Sequence, residues 1–203
     1  MKKANFSLLF LSIAFTAVLQ AQLPEQAQDV SPLLIGETMP DHELINTDGE
    51  TVAFHSLLKD KLTVVIFYRG GWCPYCNQHL AELGQRESDI LDLGYQIMAI
   101  SPDAVTELSK TGAKDEINYQ LLSDADGSFS EAVGIAFKAP ERYGDRLFKV
   151  SDGENKGHLP VPSVFVLDSE GLILFEYINP DYKQRMSANM LLAVLKVVKE
   201  ERK

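Results

Sequence analysis

Two hydrophobic rhythms run along the chain. Val64-Val65-Ile66-Phe67-Tyr68 is a continuous run of β-branched and aromatic residues, the pattern of a strand buried on both faces. Gln78 to Leu93 follows with helical periodicity. Tyr95 to Ser101 is the next strand, and Ala104 to Thr111 is a helix closed by Gly112. Tyr119 to Asp124 is a short strand, followed by a helix from about Phe129 to Val133 that Gly134 ends. Upstream, Met39 to Phe54 alternates in period two and turns at Asp48-Gly49, a hairpin signal, and His55 to Leu58 forms a short helical turn. Downstream, Val161 to Asp168 and Leu172 to Tyr177 are strands joined by the tight turn 168–171. Ser187 to Lys203 closes the chain as a helix whose apolar stripe is Met190, Leu191, Val194, Leu195 and Val198.

Strand–helix–strand–helix implies parallel pairing through right-handed crossovers, and the late hairpin adds antiparallel strands. The fold class is therefore α/β, a mixed central sheet flanked by helices on both faces, with an N-terminal β-hairpin extension. Between Phe137 and Leu159 the periodicity dissolves into charges, glycines and a proline. The 138–160 segment reads as a surface excursion, either a lid or docking element or an insertion with no part in chemistry.

The start of the chain carries a different signal. Lys2 and Lys3 precede an apolar run from Phe6 to Leu19, and Ala21 offers a cut site. Residues 1–21 are expected to be a signal peptide, making the protein exported, periplasmic or secreted, with no stable membrane span after cleavage. Polar, proline-flanked residues 22–32 are expected to form a mobile leader, leaving 33–203 as one domain. The net charge of −10 excludes nucleic acid as a partner, since binding it needs clustered cations.

Chemistry concentrates in Trp72-Cys73-Pro74-Tyr75-Cys76, which holds both cysteines of the protein. A disulfide across two intervening residues restrains little chain entropy, so a redox role outweighs a passive staple. Strand, glycine turn and helix place Cys73 at a helix N-terminus, where a thiol pKa falls to roughly 3.5–7.5. Pro74 suits the first helical turn, and Gly70-Gly71 permit the tight turn before it. Arg69 is either electrostatic support for the thiolate or a solvated turn residue. Cys73, Cys76 and His79 could share a helix face, but a structural zinc lacks its fourth ligand. No metal and no cofactor is expected.

The element order and the Cys73–Cys76 pair resemble the thioredoxin superfamily over about residues 33 to 203. Val161-Pro162 looks like that superfamily's cis-proline loop, which lies against the cysteine pair. Phe67-Tyr68-Arg69, Leu121 to Asp124 and Phe165 to Gly171 resemble the peroxiredoxin branch, related to alkyl hydroperoxide reductase and thiol-specific antioxidant. In that alignment Arg69 stands at the motif's proline, Cys73 at its threonine and Cys76 at its peroxidatic cysteine. The family's second arginine, expected near Pro162 and Ser163, is absent, and Phe67 stands where thioredoxins carry a buried acid. The resemblance implies a thioredoxin-like fold and a Cys73–Cys76 dithiol/disulfide centre. Cys73 is expected to attack and Cys76 to resolve, with Trp72, Val161 and Pro162 as the substrate-docking rim. The leading reading is a thiol-disulfide oxidoreductase acting on protein or small-molecule disulfides and thiols with an unidentified thiol reductant or oxidant. The alternatives are a thiol peroxidase acting on hydroperoxides and a non-catalytic binding module.

Overall fold

The computed structural model describes residues 22–202. Strands β1 (Glu43–Asn46) and β2 (Thr51–Ala53) form the predicted hairpin, and α1 (Phe54–Leu58) follows. The central unit runs β3 (Leu62–Phe67), α2 (Pro74–Gly84), α3 (Glu87–Asp92), β4 (Tyr95–Ser101), α4 (Val105–Lys114), β5 (Gln120–Ser123) and α5 (Ser128–Ala132). β3, β4 and β5 pair in parallel, as crossover helices require. The expected 78–93 helix breaks at Gln85-Arg86 into α2 and α3. Gly112 lies inside α4 instead of closing it.

The 138–160 segment is more ordered than its composition suggests. β6 (Ala136–Lys138) and β7 (His158–Pro160) pair antiparallel as a separate two-stranded ribbon. Between them lie a single 3-10 turn (Glu141–Tyr143) and α6 (Gly144–Val150). Buried Leu147 anchors α6, and the Ala104 N–H donates to the Val150 carbonyl at 2.8 Å. β8 (Ser163–Leu167), β9 (Ile173–Ile178) and α7 (Ala188–Glu201) complete the fold. The seven-stranded sheet has the order β2-β1-β5-β4-β3-β8-β9.

Alternation along β3 divides the core. Val64, Ile66 and Tyr68 face the layer that holds both cysteines, α2 residues Leu80 and Leu83, and Leu191 and Leu195 of α7. Val65 and Phe67 face the opposite layer with Phe129, Val133, Val161 and Phe165. Residues 22–32, expected to be a mobile leader, lie against this second layer: the Lys138 N–H donates to the Pro24 carbonyl at 2.8 Å, and Ala27 and Val30 pack on the core. The proposed 1–21 signal peptide lies outside the described residues. Among the described residues no helix is long and apolar enough to cross a membrane.

Candidate active site

The site forms at the carboxyl ends of the parallel strands, where loops from successive crossovers converge. β3 ends at Phe67, and the chain turns through Gly70, whose φ of +127° only glycine adopts easily. A Cβ on Gly71 would fall on the Thr111 hydroxyl, so the turn can lie against α4 only with glycine there. Cys73 caps α2 with extended backbone, Pro74 opens the helix, and the Cys76 N–H reaches back to the Cys73 carbonyl at 3.0 Å. Cys76 follows one turn in, on the buried face.

Both cysteines are free thiols, each about 1% exposed. The pair is chemically asymmetric. The Cys76 thiol hydrogen-bonds to the Cys73 sulfur and contributes most to lowering the Cys73 pKa to about 6, with the Cys76 backbone N–H, Arg69 and Arg185 adding to it against burial. Burial drives the Cys76 thiol well up, and the Cys73 charge adds to this. Cys73 is thus the ready nucleophile at neutral pH, and Cys76 stays protonated until it is called on. The lower thiol pKa favours Cys73 as the attacking sulfur, in line with its place at the helix N-terminus, although the peroxiredoxin alignment places Cys76 at that position.

Arg69 is no solvated turn residue. It is 4% exposed and its Nη1 lies 4.0 Å from Cys73 Sγ. Its guanidinium sits among three aromatic rings, 5.0 Å from Trp72, 4.9 Å from Tyr143 and 4.2 Å from Tyr182. These contacts hold it in place without an opposing carboxylate. A second guanidinium arrives from the loop before α7, where Arg185 Nη2 donates to Cys76 Sγ at 3.4 Å. Arg185 was not singled out in the sequence because it reaches the pair from 109 residues away. It brings a second cation to the pair, at a position other than Pro162 and Ser163.

Asp103 is the other group that spacing did not flag. It lies just past β4 and its Oδ2 accepts the Gly71 N–H at 2.7 Å. Burial pushes its carboxyl up to about 7, and its Oδ1 has no partner. Tyr68 lies within the field of both Asp103 and Cys76, and burial holds its phenol far above the ordinary range. The buried acid beside this turn comes from the end of the neighbouring strand and holds the Gly71 N–H. Ser101-Pro102-Asp103 directly after an apolar run was the available signal.

The expected docking rim divides. Trp72 is half-buried and packs on Tyr143 at 5.3 Å. Pro162 lines the pocket beside Arg69. Val161 instead faces the opposite core layer, with its N–H spent on the Ile135 carbonyl at 2.9 Å. Period-two alternation out of β8 sends the Val161 side chain away from the cysteines. No peptide bond among the described residues is cis, so the expected cis bond at Pro162 is not present. His79 is buried with Nε2 3.0 Å from the Met186 carbonyl, and burial lowers its pKa to about 4. Among the described residues no group of three or more His, Cys, Asp or Glu is arranged to hold a metal.

A match to the AhpC/TSA family spans residues 35–175. The chain belongs to the AhpC/TSA family. It is similar to "Peroxiredoxin Bcp" of Escherichia coli, 27% identical over 169 residues that cover 82% of this chain and 98% of that one. It is also similar to a "1-Cys peroxiredoxin" of Medicago truncatula, 24% identical over 80% of this chain and 72% of that one. Among solved structures, peroxidoxin BcpB from Mycobacterium tuberculosis superposes with a TM-score of 0.66 at 19% identity, covering 83% of this chain and 97% of that one. Reduced Prx3 of Vibrio vulnificus in complex with H2O2 superposes at 0.68 with 18% identity, covering 80% and 99%. The fold is the thioredoxin-like fold of peroxiredoxins. As an AhpC/TSA protein with an activated thiol, the chain is a thiol-dependent oxidoreductase, which favours the enzymatic readings over a passive binding module.

Proposed function

We propose that the protein is a thiol peroxidase in which Cys73 is the peroxidatic thiol and Cys76 resolves it. The carrying observation is a Cys73 thiol lowered to about 6 beside buried Arg69 in a chain of the AhpC/TSA family. The Cys73 thiolate attacks the terminal oxygen of a hydroperoxide, the O–O bond breaks, and the departing alkoxide takes a proton from water. Arg69 stabilises charge that spreads onto the oxygens. Cys76 then attacks the sulfenic sulfur, forming the disulfide and releasing water. A thiol reductant restores the pair by exchange, taking up the two oxidising equivalents. Stabilising the Cys73 thiolate stabilises the reduced state, so the disulfide accepts electrons readily.

This reverses the order of the leading and alternative readings: disulfide exchange becomes the second half of a peroxidase cycle. Exchange as the sole activity is the second reading, favoured by the cysteine spacing itself. Peroxide consumption by the purified protein with dithiothreitol separates them. Loss of peroxide that vanishes in Cys73→Ser supports the proposal; disulfide reduction without peroxide consumption overturns it. Export is proposed from the basic-then-apolar run between Lys2 and Leu19. A mature mass starting at Gln22 is the expected outcome, and an intact N-terminus on secreted or periplasmic material refutes cleavage there.

A further inference from the structure

Six arginines occur in this chain of net charge −10. Arg86 and Arg202 pair with carboxylates, Asp89 at 2.9 Å and Asp168 at 3.1 Å. The other four, Arg69, Arg142, Arg146 and Arg185, form no salt bridge among the described residues. Two of them reach the cysteines and the other two lie on the rings that hold Arg69. Arg69 and Arg185 touch the sulfurs, Arg146 lies 5.3 Å from the Trp72 ring, and Arg142 lies 4.8 Å from the Tyr143 ring.

Arg69 and Arg142 also border one pocket of about 230 Å³, with Tyr143, Tyr182, Pro140 and Pro162 among its apolar walls. Tyr143 is set between the two cations: Arg142 Nη2 donates to its hydroxyl at 3.5 Å, and Arg69 stands 4.9 Å from its ring. Hydrogen bonds from both arginines, Arg69 first, lower the Tyr143 pKa. Two like charges around one phenol repel, and an anion between them would relieve that. The pocket's own carboxylate does not supply it, because Glu25 pairs with Lys138 at 3.1 Å. Arg142 is exposed at the mouth, whereas Arg69 reaches Cys73 at the inner wall.

Resting on the peroxidase reading above, we propose that Arg142, backed by Arg69, is a carboxylate-binding subsite. The preferred substrate is then an organic hydroperoxide whose compact apolar body carries a carboxylate. The carboxylate sits on Arg142, the body lies on the proline and tyrosine walls, and the hydroperoxide reaches Cys73 past Arg69. A guanidinium recognises a carboxylate with a charge-assisted, bidentate geometry that neutral analogues cannot match.

Trp72 is the only tryptophan and packs tilted against Tyr143, so its fluorescence reports this pocket. Titration with 4-isopropylbenzoate should give a saturable, salt-sensitive change. The neutral 4-isopropylbenzamide should bind at least about tenfold more weakly, and Arg142→Gln should lose a similar factor for the benzoate. Equal affinity for acid and amide, or an unchanged affinity in Arg142→Gln, overturns the subsite. In turnover with dithiothreitol, cumene hydroperoxide bearing a para-carboxylate should exceed cumene hydroperoxide about tenfold in kcat/KM, and Arg142→Gln should bring that ratio toward one. Equal kcat/KM values overturn the substrate class. No turnover of either hydroperoxide overturns the peroxidase reading and the substrate class with it, while the titration still decides the subsite.

Discussion

The acidity of Cys73 depends first on its neighbour's thiol, and Cys76→Ala tests that dependence. The substitution removes the hydrogen bond that lowers the Cys73 pKa most while leaving Arg69 and Arg185 in place. A hydrogen bond to a charged group is worth about 1.5–3 kcal/mol, and one pKa unit corresponds to about 1.4 kcal/mol. Cys73 should therefore rise by ~1–2 units, from about 6 to ~7–8. At pH 7 the thiolate fraction falls from ~90% to ~10–50%. The pH dependence of iodoacetamide alkylation of Cys73 reads this directly, with thiolate absorbance near 240 nm as a second readout. Arg69→Gln should move the midpoint less, because the guanidinium at 4.0 Å ranks below both hydrogen bonds from Cys76. An unmoved midpoint in Cys76→Ala, or a larger rise in Arg69→Gln, would refute the hydrogen bond as the chief cause. Because the folded pKa is depressed, the thiolate contributes stability above the unfolded thiol pKa of ~8.5, and this is lost as pH falls through about 6. The reduced wild-type protein should gain stability across that interval, and Cys76→Ala should gain less.

Three further outcomes follow from the same geometry. The raised pKa of Asp103, about 7 in the fold against 3.8 unperturbed, means the folded state keeps a proton that the unfolded chain releases, so stability falls between pH 4 and 7. Asp103→Asn should raise urea stability at pH 8 relative to pH 5 by about 2–3 kcal/mol, and an equal offset at both pH values would contradict the assignment. Arg185→Gln removes the cation 3.4 Å from Cys76, so resolution should slow about tenfold for each unit that Cys76 rises. Mass spectrometry under excess peroxide should then show more sulfinic acid on Cys73; unchanged over-oxidation would exclude Arg185 from resolution. Gly71→Ala places a methyl group on the Thr111 hydroxyl and should destabilise by ~1–3 kcal/mol, with partial recovery in Thr111→Ala measured by thermal unfolding.

The sheet was legible where hydrophobic rhythm and position agree. The unbroken apolar run into Gly70-Gly71 leaves little choice but a central strand, a tight turn and a helix, and Cys73 and Cys76 follow from it. Pairing between distant short segments carries no such rhythm. Ala136–Lys138 meets His158–Pro160 across some twenty residues of mixed composition, and only tertiary packing of buried Ala136 and Leu159 makes the ribbon. Arg185 and Asp103 were hidden for a related reason: Arg185 reaches Cys76, and Asp103 the Gly71 N–H beside the pair, each from another strand or loop. Val161 shows the converse. Its place beside Pro162 suggested shared duty, yet one step along an extended chain reverses the face.

The independent ribbon from Ala136 to Pro160 separates two kinds of adaptation. Thiol reactivity is set by the Arg69–Cys76 turn on the rigid seven-stranded sheet. Arg142, Tyr143 and Arg146 ride on this ribbon's excursion, which buried Leu147 and the Ala104-to-Val150 hydrogen bond anchor to the body. Resizing that excursion would therefore alter what the enzyme accepts, and the sulfur chemistry would stay constant only where a ring is kept at Tyr143 to hold Arg69. The excursion is thus a natural graft point for redirecting the catalyst toward a chosen substrate.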